Sequence, residues 1–256
     1  MLEPAVVDAY VKVLRDELVM ATGCTEPIAI AYAAALLRHT LKALPERVRA
    51  EVSGNIIKNV KSVIVPNTGG LKGIQAAIAA GAVAGEADQQ LQVISRIPAE
   101  AHGEIARYAT ETPIEIVCAD TPWQLDIQLT GWAGGHSALV RIAETHNNVV
   151  RIELDGQVLQ EKALNDPGAE SEEDRSFMSV SGILEFAETV DLSRVQELLD
   201  RQIQCNETIA KEGLEGSWGA NVGSVLLKEY PNDIKTEARA WAAAGSDARM
   251  SGCELP

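Results

Sequence analysis

One segment constrains the fold more than any other: residues 27–42 are apolar on nearly every side of a helix. Thr25 is a suitable helix cap, Pro27 suits the first turn, and Pro45 ends the segment. A helix without a polar face is stable only where other elements cover it. We therefore expect this helix to be buried, either inside the fold or in a subunit interface.

Other segments show either helical or strand periodicity. Helical spacing predicts helices over 4–20, 71–84, 99–110, 178–187, 191–212, 219–229 and 232–248. Alternation with a period of two predicts strands over 48–52 and between residues 114 and 160, where Asp155-Gly156 signals a hairpin. A further short buried strand is predicted over 63–65. The pattern predicts an α/β fold of the α+β type, with helical terminal segments around a small mixed or antiparallel sheet.

These patterns divide the chain into four regions. We predict N-terminal helices over 1–45, an α/β region containing the sheet over 46–165, a polar loop over 166–176 and C-terminal helices over 177–256. The polar composition of 166–176 favours a linker. We expect the four regions to form one structural unit that is truncated at its C-terminus.

Charge excludes several classes of partner. The chain has 22 Lys and Arg against 37 Asp and Glu, a net charge of −15. Phosphate backbones and anionic lipids both select basic surfaces, so we expect neither a nucleic-acid nor a membrane partner. Four widely separated cysteines form no CxxC pair, which favours a reducing, cytoplasmic location.

The segment Gly23-Cys24-Thr25-Glu26-Pro27 is the sharpest local motif. A thiol just before a helix meets unpaired N–H groups and the positive end of the helix dipole, and both lower its pKa. The resulting thiolate is a candidate nucleophile, base or soft-metal ligand. The competing interpretation is a small buried apolar residue at a helix entrance, which is equally common for free cysteines.

Polar residues cluster in two neighbouring stretches, 53–60 and 65–70. They suggest a cradle for a substrate carboxylate, because loop N–H groups and amide or lysine side chains attract anions. The candidate residues are Asn55, Lys58, Asn59, Thr68 and Gly69. The alternative is ordinary turn chemistry of Asn and Gly, which is more frequent.

His136 follows Gly134-Gly135 between two predicted strands and is a candidate acid–base group. The alternative is a hairpin histidine that faces solvent. The other histidines have no metal-ligand spacing. A dinucleotide fingerprint and hydrolase motifs are also missing from the sequence, so we predict no NAD.

Five motifs in order resemble the L-cysteine desulfidase family, which is related to the alpha part of iron–sulfur L-serine dehydratases. The chain resembles the N-terminal portion of these proteins. The motifs are residues 23–27, Asn55 with Lys58-Asn59, Val65-Pro66 with Thr68-Gly69, residues 134–136 and residues 246–250.

The resemblance implies a β-elimination on L-cysteine or L-serine that does not use pyridoxal phosphate (PLP). L-cysteine would give pyruvate, ammonia and hydrogen sulfide. A [4Fe–4S] cluster would activate the leaving group, with its cysteine ligands in a segment beyond this chain and none within it. Cys24 would be catalytic or a neighbour of the cluster, and His136 would assist charge balance. This chain by itself is then expected to be an inactive fragment.

Two alternatives stay open beside the lyase. One is a non-catalytic domain of the same fold that binds or senses a small amino acid. The other is an oligomerising scaffold, suggested by the apolar helix 27–42, and a homo-oligomer is compatible with each hypothesis. The preference between cysteine and serine is also open, because the two differ by one atom.

Overall fold

The computed structural model describes residues 2–20, 23–164 and 175–255. Most of the predicted polar loop 166–176 lies outside the described residues. The chain divides into two compact units at three points, one of which lies within a helix. The first unit comprises Met1–Met20 and Asn165–Thr208, and the second comprises Ala21–Leu164 and Ile209–Pro256.

The helices and strands follow the predicted order. The helices are α1 (Pro4–Glu17), α2 (Thr25–Leu41), α3 (Gly54–Val60), α4 (Gly73–Ala84), α5 (His102–Glu111), α6 (Val180–Thr189), α7 (Gln196–Glu215), α8 (Val222–Glu229) and α9 (Ile234–Met250). Short 3-10 helices span Ala87–Gln92, Ala99–Ala101 and Leu192–Arg194. The strands are β1 (Arg47–Val52), β2 (Ile114–Cys118), β3 (Asp126–Ala133), β4 (His136–Ala143), β5 (Val149–Leu154) and β6 (Gln157–Glu161).

The first unit packs α1 against α6 through aromatic side chains. The Tyr10 ring stacks on Phe186 at a centroid distance of 4.9 Å and meets the edge of Phe177 at 5.0 Å. Its hydroxyl donates to the Phe177 carbonyl oxygen at 3.3 Å. These contacts satisfy the polar end of a buried tyrosine while its ring fills the small core.

The second unit contains a mixed six-stranded sheet in the order β2-β1-β3-β4-β5-β6. β1 and β2 pair in parallel, and every other neighbouring pair is antiparallel. The prediction of an α+β fold is confirmed, and the sheet is of the mixed kind. The Asp155-Gly156 hairpin is also confirmed, since both residues adopt positive φ between β5 and β6.

Helix α2 is the buried centre of this unit and packs against α4, β3 and β4. Most of its residues are fully buried, as its sequence requires. At Gly81 of α4 an added Cβ would lie 1.9 Å from the Ala31 carbonyl oxygen, so the two helices touch through their backbones. Because α2 is buried inside the fold, its sequence does not require a subunit interface.

Two local predictions differ from the structure. Residues 54–60 form helix α3, because the Ser53 hydroxyl accepts the Ile56 N–H at 3.4 Å and caps a helix where a turn was expected. The predicted strand 63–65 is reduced to a single bridge between Ile64 and Lys72. In the described residues, no helix is both long and apolar enough to span a membrane.

Candidate functional site

The site begins where the turn before α2 meets the loop 66–70. Gly23 is buried with φ at +80°, and an added Cβ would lie 2.7 Å from Pro66 Cγ. A positive φ and this lack of space both require glycine. The contact brings together the two motifs that the sequence singled out separately.

Glu26, in the first turn of α2, is the centre of the polar contacts. Its Oε2 accepts the Cys24 thiol at 3.1 Å and the Thr25 hydroxyl at 3.3 Å. Its Oε1 accepts Nδ2 of Asn59 from α3 at 3.0 Å. Three donors therefore converge on one half-buried carboxylate.

These contacts place the negative charge on Glu26 and keep the Cys24 thiol neutral. Burial raises the pKa of Glu26, but hydrogen bonds from Cys24, its own N–H and Asn59, together with the charge of His146, lower it below the ordinary value. Burial, the hydrogen bond to Glu26 and the charge of Glu26 raise the pKa of Cys24 to about 12. The prediction of a lowered thiol pKa is therefore wrong, because burial and a neighbouring carboxylate outweigh the helix dipole.

His146 lies beside this cluster and was missed by the sequence reasoning. It sits in the turn between β4 and β5, and its Nε2 is buried without a hydrogen-bond partner in the described part of the chain. Burial lowers its pKa, and the charge of Glu26 opposes that shift. Its spacing in the sequence carries no signal, because the fold alone brings residue 146 near residue 26.

Asn59 was a candidate for substrate carboxylate binding, and the structure shows it bonded to Glu26. At about 100° per residue, Asn55, Lys58 and Asn59 share one face of α3. Asn55 and Lys58 are exposed on that face. The predicted stretch 55–59 thus presents an amide and a cation next to the Glu26 cluster.

The loop 66–70 uses its polar side chains mainly on itself. The buried Thr68 hydroxyl donates to the Val65 carbonyl oxygen at 2.6 Å and accepts the Leu71 N–H at 3.2 Å. Asn67 Nδ2 donates to the Ile94 carbonyl oxygen at 2.9 Å. Gly69 is exposed beside His102, with an added Cβ 3.3 Å from the His102 Nδ1. Within this loop, Gly69 and Gly70 are exposed and residues 66–68 are buried.

His136 lies at the other end of β4. Seven residue steps separate it from Ala143, about 23 Å along a strand. Its exposed ring bonds to Asp155 Oδ2 through Nδ1 at 2.7 Å, and the Ser137 N–H bonds to Asp155 Oδ1 at 2.8 Å. The Ser137 N–H and the His136 ring lower the pKa of Asp155. The structure does not bring His136 to the Glu26 cluster.

The motif 246–250 ends α9 and serves the packing of the second unit. Asp247 Oδ2 accepts the Val222 N–H at 2.9 Å at the start of α8. The Met250 carbonyl oxygen accepts the Ile64 N–H at 3.4 Å. This motif therefore supports the chain just before the loop 66–70.

An iron–sulfur cluster with one open iron needs three cysteine ligands. Cys24 bonds to Glu26, Cys118 is exposed at the end of β2, Cys205 lies in the first unit and Cys253 is buried beside Ile209 and Ala248. Among the described residues, no three His, Cys, Asp or Glu side chains come together as metal ligands. The donor set of this part of the chain does not fit the cluster.

Comparison with known proteins finds relatives in several bacteria. The chain is 53% identical over 247 residues to a UPF0597 protein of Desulfitobacterium hafniense, covering 96% of this chain and 57% of that protein. UPF0597 proteins of Lachnoclostridium phytofermentans and Treponema denticola are 45% and 39% identical, over 96% and 97% of this chain and 59% of each relative. No family model matches the chain, and no solved structure matches it.

These comparisons correct the family prediction. The relatives are named UPF0597 proteins, and none of these names is that of a cysteine desulfidase or a serine dehydratase. The assignment to the L-cysteine desulfidase family is therefore wrong. The chain spans between 57% and 59% of the length of these three relatives, so its similarity to UPF0597 proteins concerns that part of them.

Proposed function

We propose that this chain carries the proton-transfer site of a lyase that performs β-elimination on a small amino acid, L-cysteine or L-serine. The observation that carries the proposal is the buried Nε2 of His146, which has no hydrogen-bond partner among the residues that the structure describes and lies near the Glu26–Cys24 pair. Buried polar atoms are normally paired, so an unpaired ring nitrogen at a polar cluster suggests a ligand or a proton as its partner.

His146 has the properties of a general base. Burial favours its neutral form, which keeps a lone pair on one ring nitrogen at neutral pH. In the proposed reaction this nitrogen takes the α-proton of the amino acid. The electron pair of the Cα–H bond forms the Cα–Cβ double bond, and the Cβ–S or Cβ–O bond breaks.

Cys24 has the complementary property. Its thiol stays protonated because its pKa is raised to about 12, and it is held by Glu26. We infer that this S–H supplies the proton that a departing hydroxide takes up, and that the proton held by His146 then restores the thiol. A departing hydrosulfide is a weaker base than the Cys24 thiolate, so it takes its proton from His146 instead. The aminoacrylate product becomes an imine, which water hydrolyses to pyruvate and ammonia.

Substrate binding would use the polar surface around the cluster. Lys58 and Asn55 are exposed groups suited to the substrate carboxylate, because an ammonium and an amide group both donate hydrogen bonds to it. The cysteine chemistry fits a reducing, cytoplasmic setting, because all four cysteines, each in the described part of the chain, are free.

The test is an anaerobic assay, with L-cysteine and with L-serine, of a protein that has the full length of the UPF0597 relatives, because this chain spans only 57% to 59% of them. Pyruvate and sulfide are measured. We expect pyruvate from the wild type and a large loss in His146→Ala. His136→Ala is the matched control, because it removes the same side chain from the opposite end of β4. Pyruvate formation that is equal in both variants would disprove the assignment of the base.

A second candidate function is binding of a small amino acid without chemistry. It is favoured by a cavity of about 310 Å³ lined by Arg38, His39, Glu86 and Asp88, which offer both signs of charge to a zwitterion. Arg38 also donates to the carbonyl oxygens of Ala82 and Val83 at the end of α4.

Thermal-shift measurements with amino acids separate the two candidates. Stabilisation that is lost in Glu86→Gln and kept in Glu26→Gln would favour the cavity. The reverse pattern, together with pyruvate formation, would favour the lyase.

A further inference from the structure

The turn that carries His146 contains a residue in an unfavourable backbone conformation. Residues 144–148 connect β4 to β5, and Glu144 adopts a φ of +70°, which is unfavourable for a residue with a side chain. Such a conformation persists only where surrounding contacts impose it. Asn148 makes two of these contacts, and the Glu144 N–H donates to the Leu125 carbonyl oxygen at 3.1 Å.

Asn148 joins the two ends of the turn and a neighbouring segment. Its Nδ2 donates to the Ala143 carbonyl oxygen and to Glu144 Oε2, each at 3.0 Å. Its Oδ1 accepts Nζ of Lys162 at 2.8 Å, and its carbonyl oxygen accepts the Ala143 N–H at 3.1 Å. One half-buried side chain thus binds both the residue before the turn and the strained residue that begins it.

His146 has no such support of its own. Its Nε2 makes no hydrogen bond within the described residues, so the position of the ring depends on the backbone of the turn and on packing. Glu26 is the charged group that acts on this ring. A change in the turn would therefore alter both the burial of the imidazole and its distance from the carboxylate.

We propose that Asn148 is a positioning residue for His146, which holds the imidazole beside Glu26 by closing the 144–148 turn. The inference deepens the proposed function and rests on it for its catalytic meaning. Asn148 itself does not take part in the proton transfer.

The neighbouring Asn147 provides a matched control. It is exposed, and its side chain makes only contacts of 3.4 Å with Thr145 and Gln90. Asn147→Ala and Asn148→Ala remove the same group from adjacent positions of one turn. Lys162→Met is a milder variant, because it removes only the bond to Asn148 Oδ1.

The readout is the titration of the His146 imidazole, followed by NMR of nitrogen-labelled histidine in the intact protein. We expect Asn148→Ala to raise the pKa of His146 toward its ordinary value, because a loosened turn exposes the imidazole to water. Lys162→Met should move it less, and Asn147→Ala should leave it unchanged. A merely structural asparagine would change the unfolding temperature and leave this titration alone.

Two results would overturn the proposal. One is an unchanged His146 titration in both folded Asn148→Ala and Lys162→Met proteins, and the other is an equal shift in Asn147→Ala. The titration needs no turnover, so it is independent of the elimination assay. A shifted titration with pyruvate formation equal to that of the wild type supports the positioning of the ring and counts against the lyase.

Discussion

The two ends of strand β4 carry two histidines in opposite environments. His136 begins the strand, is exposed and is paired with Asp155. His146 follows the strand in the next turn near Glu26, and its buried Nε2 has no hydrogen-bond partner among residues 2–20, 23–164 and 175–255. The end of the sheet that carries the conspicuous Gly-Gly-His motif therefore has a satisfied surface pair, while the other end holds one unsatisfied ring nitrogen.

This contrast shows which property identifies a candidate site. The Gly-Gly-His motif reflects the requirement of a backbone turn for glycine, and hairpins without a catalytic role have the same requirement. An unpaired buried nitrogen next to a half-buried carboxylate, in contrast, costs free energy in the absence of a partner. The second property depends on packing and is visible only in the fold.

The strongest test of the contrast removes each histidine. We expect His146→Ala to lower the rate of pyruvate formation by a factor of about 10² or more, the usual contribution of a general base. His136→Ala should stay within about twofold of the wild type, because its ring lies at the remote end of β4. A larger loss in His136→Ala than in His146→Ala would reverse the comparison.

Substitution of two glycines tests how tightly the chain packs near Glu26 and near His136. Gly23→Ala combines a φ of +80° with a clash against Pro66, whereas Gly134→Ala has a φ of +56° and no atom within 4 Å. We expect a loss of unfolding free energy of about 2–3 kcal/mol for Gly23→Ala and about 1 kcal/mol for Gly134→Ala. Urea unfolding of both variants measures the difference, and equal losses would show that the contact with Pro66 is not tight.

The effects of the carboxylates Glu26 and Asp155 can be compared through the alkylation rate of Cys24. Glu26→Gln removes the negative charge that helps to raise the pKa of this thiol to about 12, so alkylation by iodoacetamide at pH 8 should become about tenfold faster. Asp155→Asn, at the other end of β4, should leave the rate unchanged. Mass spectrometry of the Cys24 peptide gives the rate, and no acceleration in Glu26→Gln would show that burial alone protects the thiol.

The smallest expected effect is on stability as a function of pH. The pKa of His146 is lower in the folded state than its ordinary 6.5, so the unfolded chain binds the extra proton first. Stability should therefore fall as the pH drops below about 6.5, by at most about 1.4 kcal/mol per pH unit. His146→Ala should remove this slope.

Asp155, at the other end of β4, should affect the free energy of unfolding in a different pH range. The pKa of Asp155 is lowered from 3.8, so its stabilising contribution is present above that value and is lost as the pH falls through the folded pKa. Asp155→Asn should lower stability by a constant amount above about pH 4 and should remove the part of the slope that lies below that pH. Unfolding curves between pH 7.5 and 3 distinguish the two windows, and a slope near pH 6 that survives in His146→Ala would contradict the assignment.

Several elements of the fold were predictable because their signals are local. Helix α2 follows from an uninterrupted apolar segment with a terminating proline, and the β5–β6 hairpin follows from Asp155-Gly156. The predicted cap at Thr25 is wrong, because Thr25 is the first helical residue and Cys24 holds the cap position without a side-chain cap bond. Helix α3 was not predicted, because Ser53, Gly54 and Asn55 are as common in turns as at helix starts. Only the cap bond to Ile56 distinguishes the two cases.

The candidate site was predicted in part. Cys24 and Asn59 do lie together, joined through Glu26, but the direction of the thiol pKa could not be known before its burial was known. The place of His146 in the site could not be predicted, because residues 26 and 146 are far apart in the sequence and only the packing of the sheet against α2 brings them close.

By itself, the sequence determined which segments must be buried, where the chain turns and the strongly acidic character of the molecule, because these depend on neighbouring residues and composition. Tertiary structure decided which polar groups meet, which histidine lies near Glu26 and whether Cys24 keeps its proton. These properties depend on distance and desolvation, which are set by contacts between residues far apart in the chain.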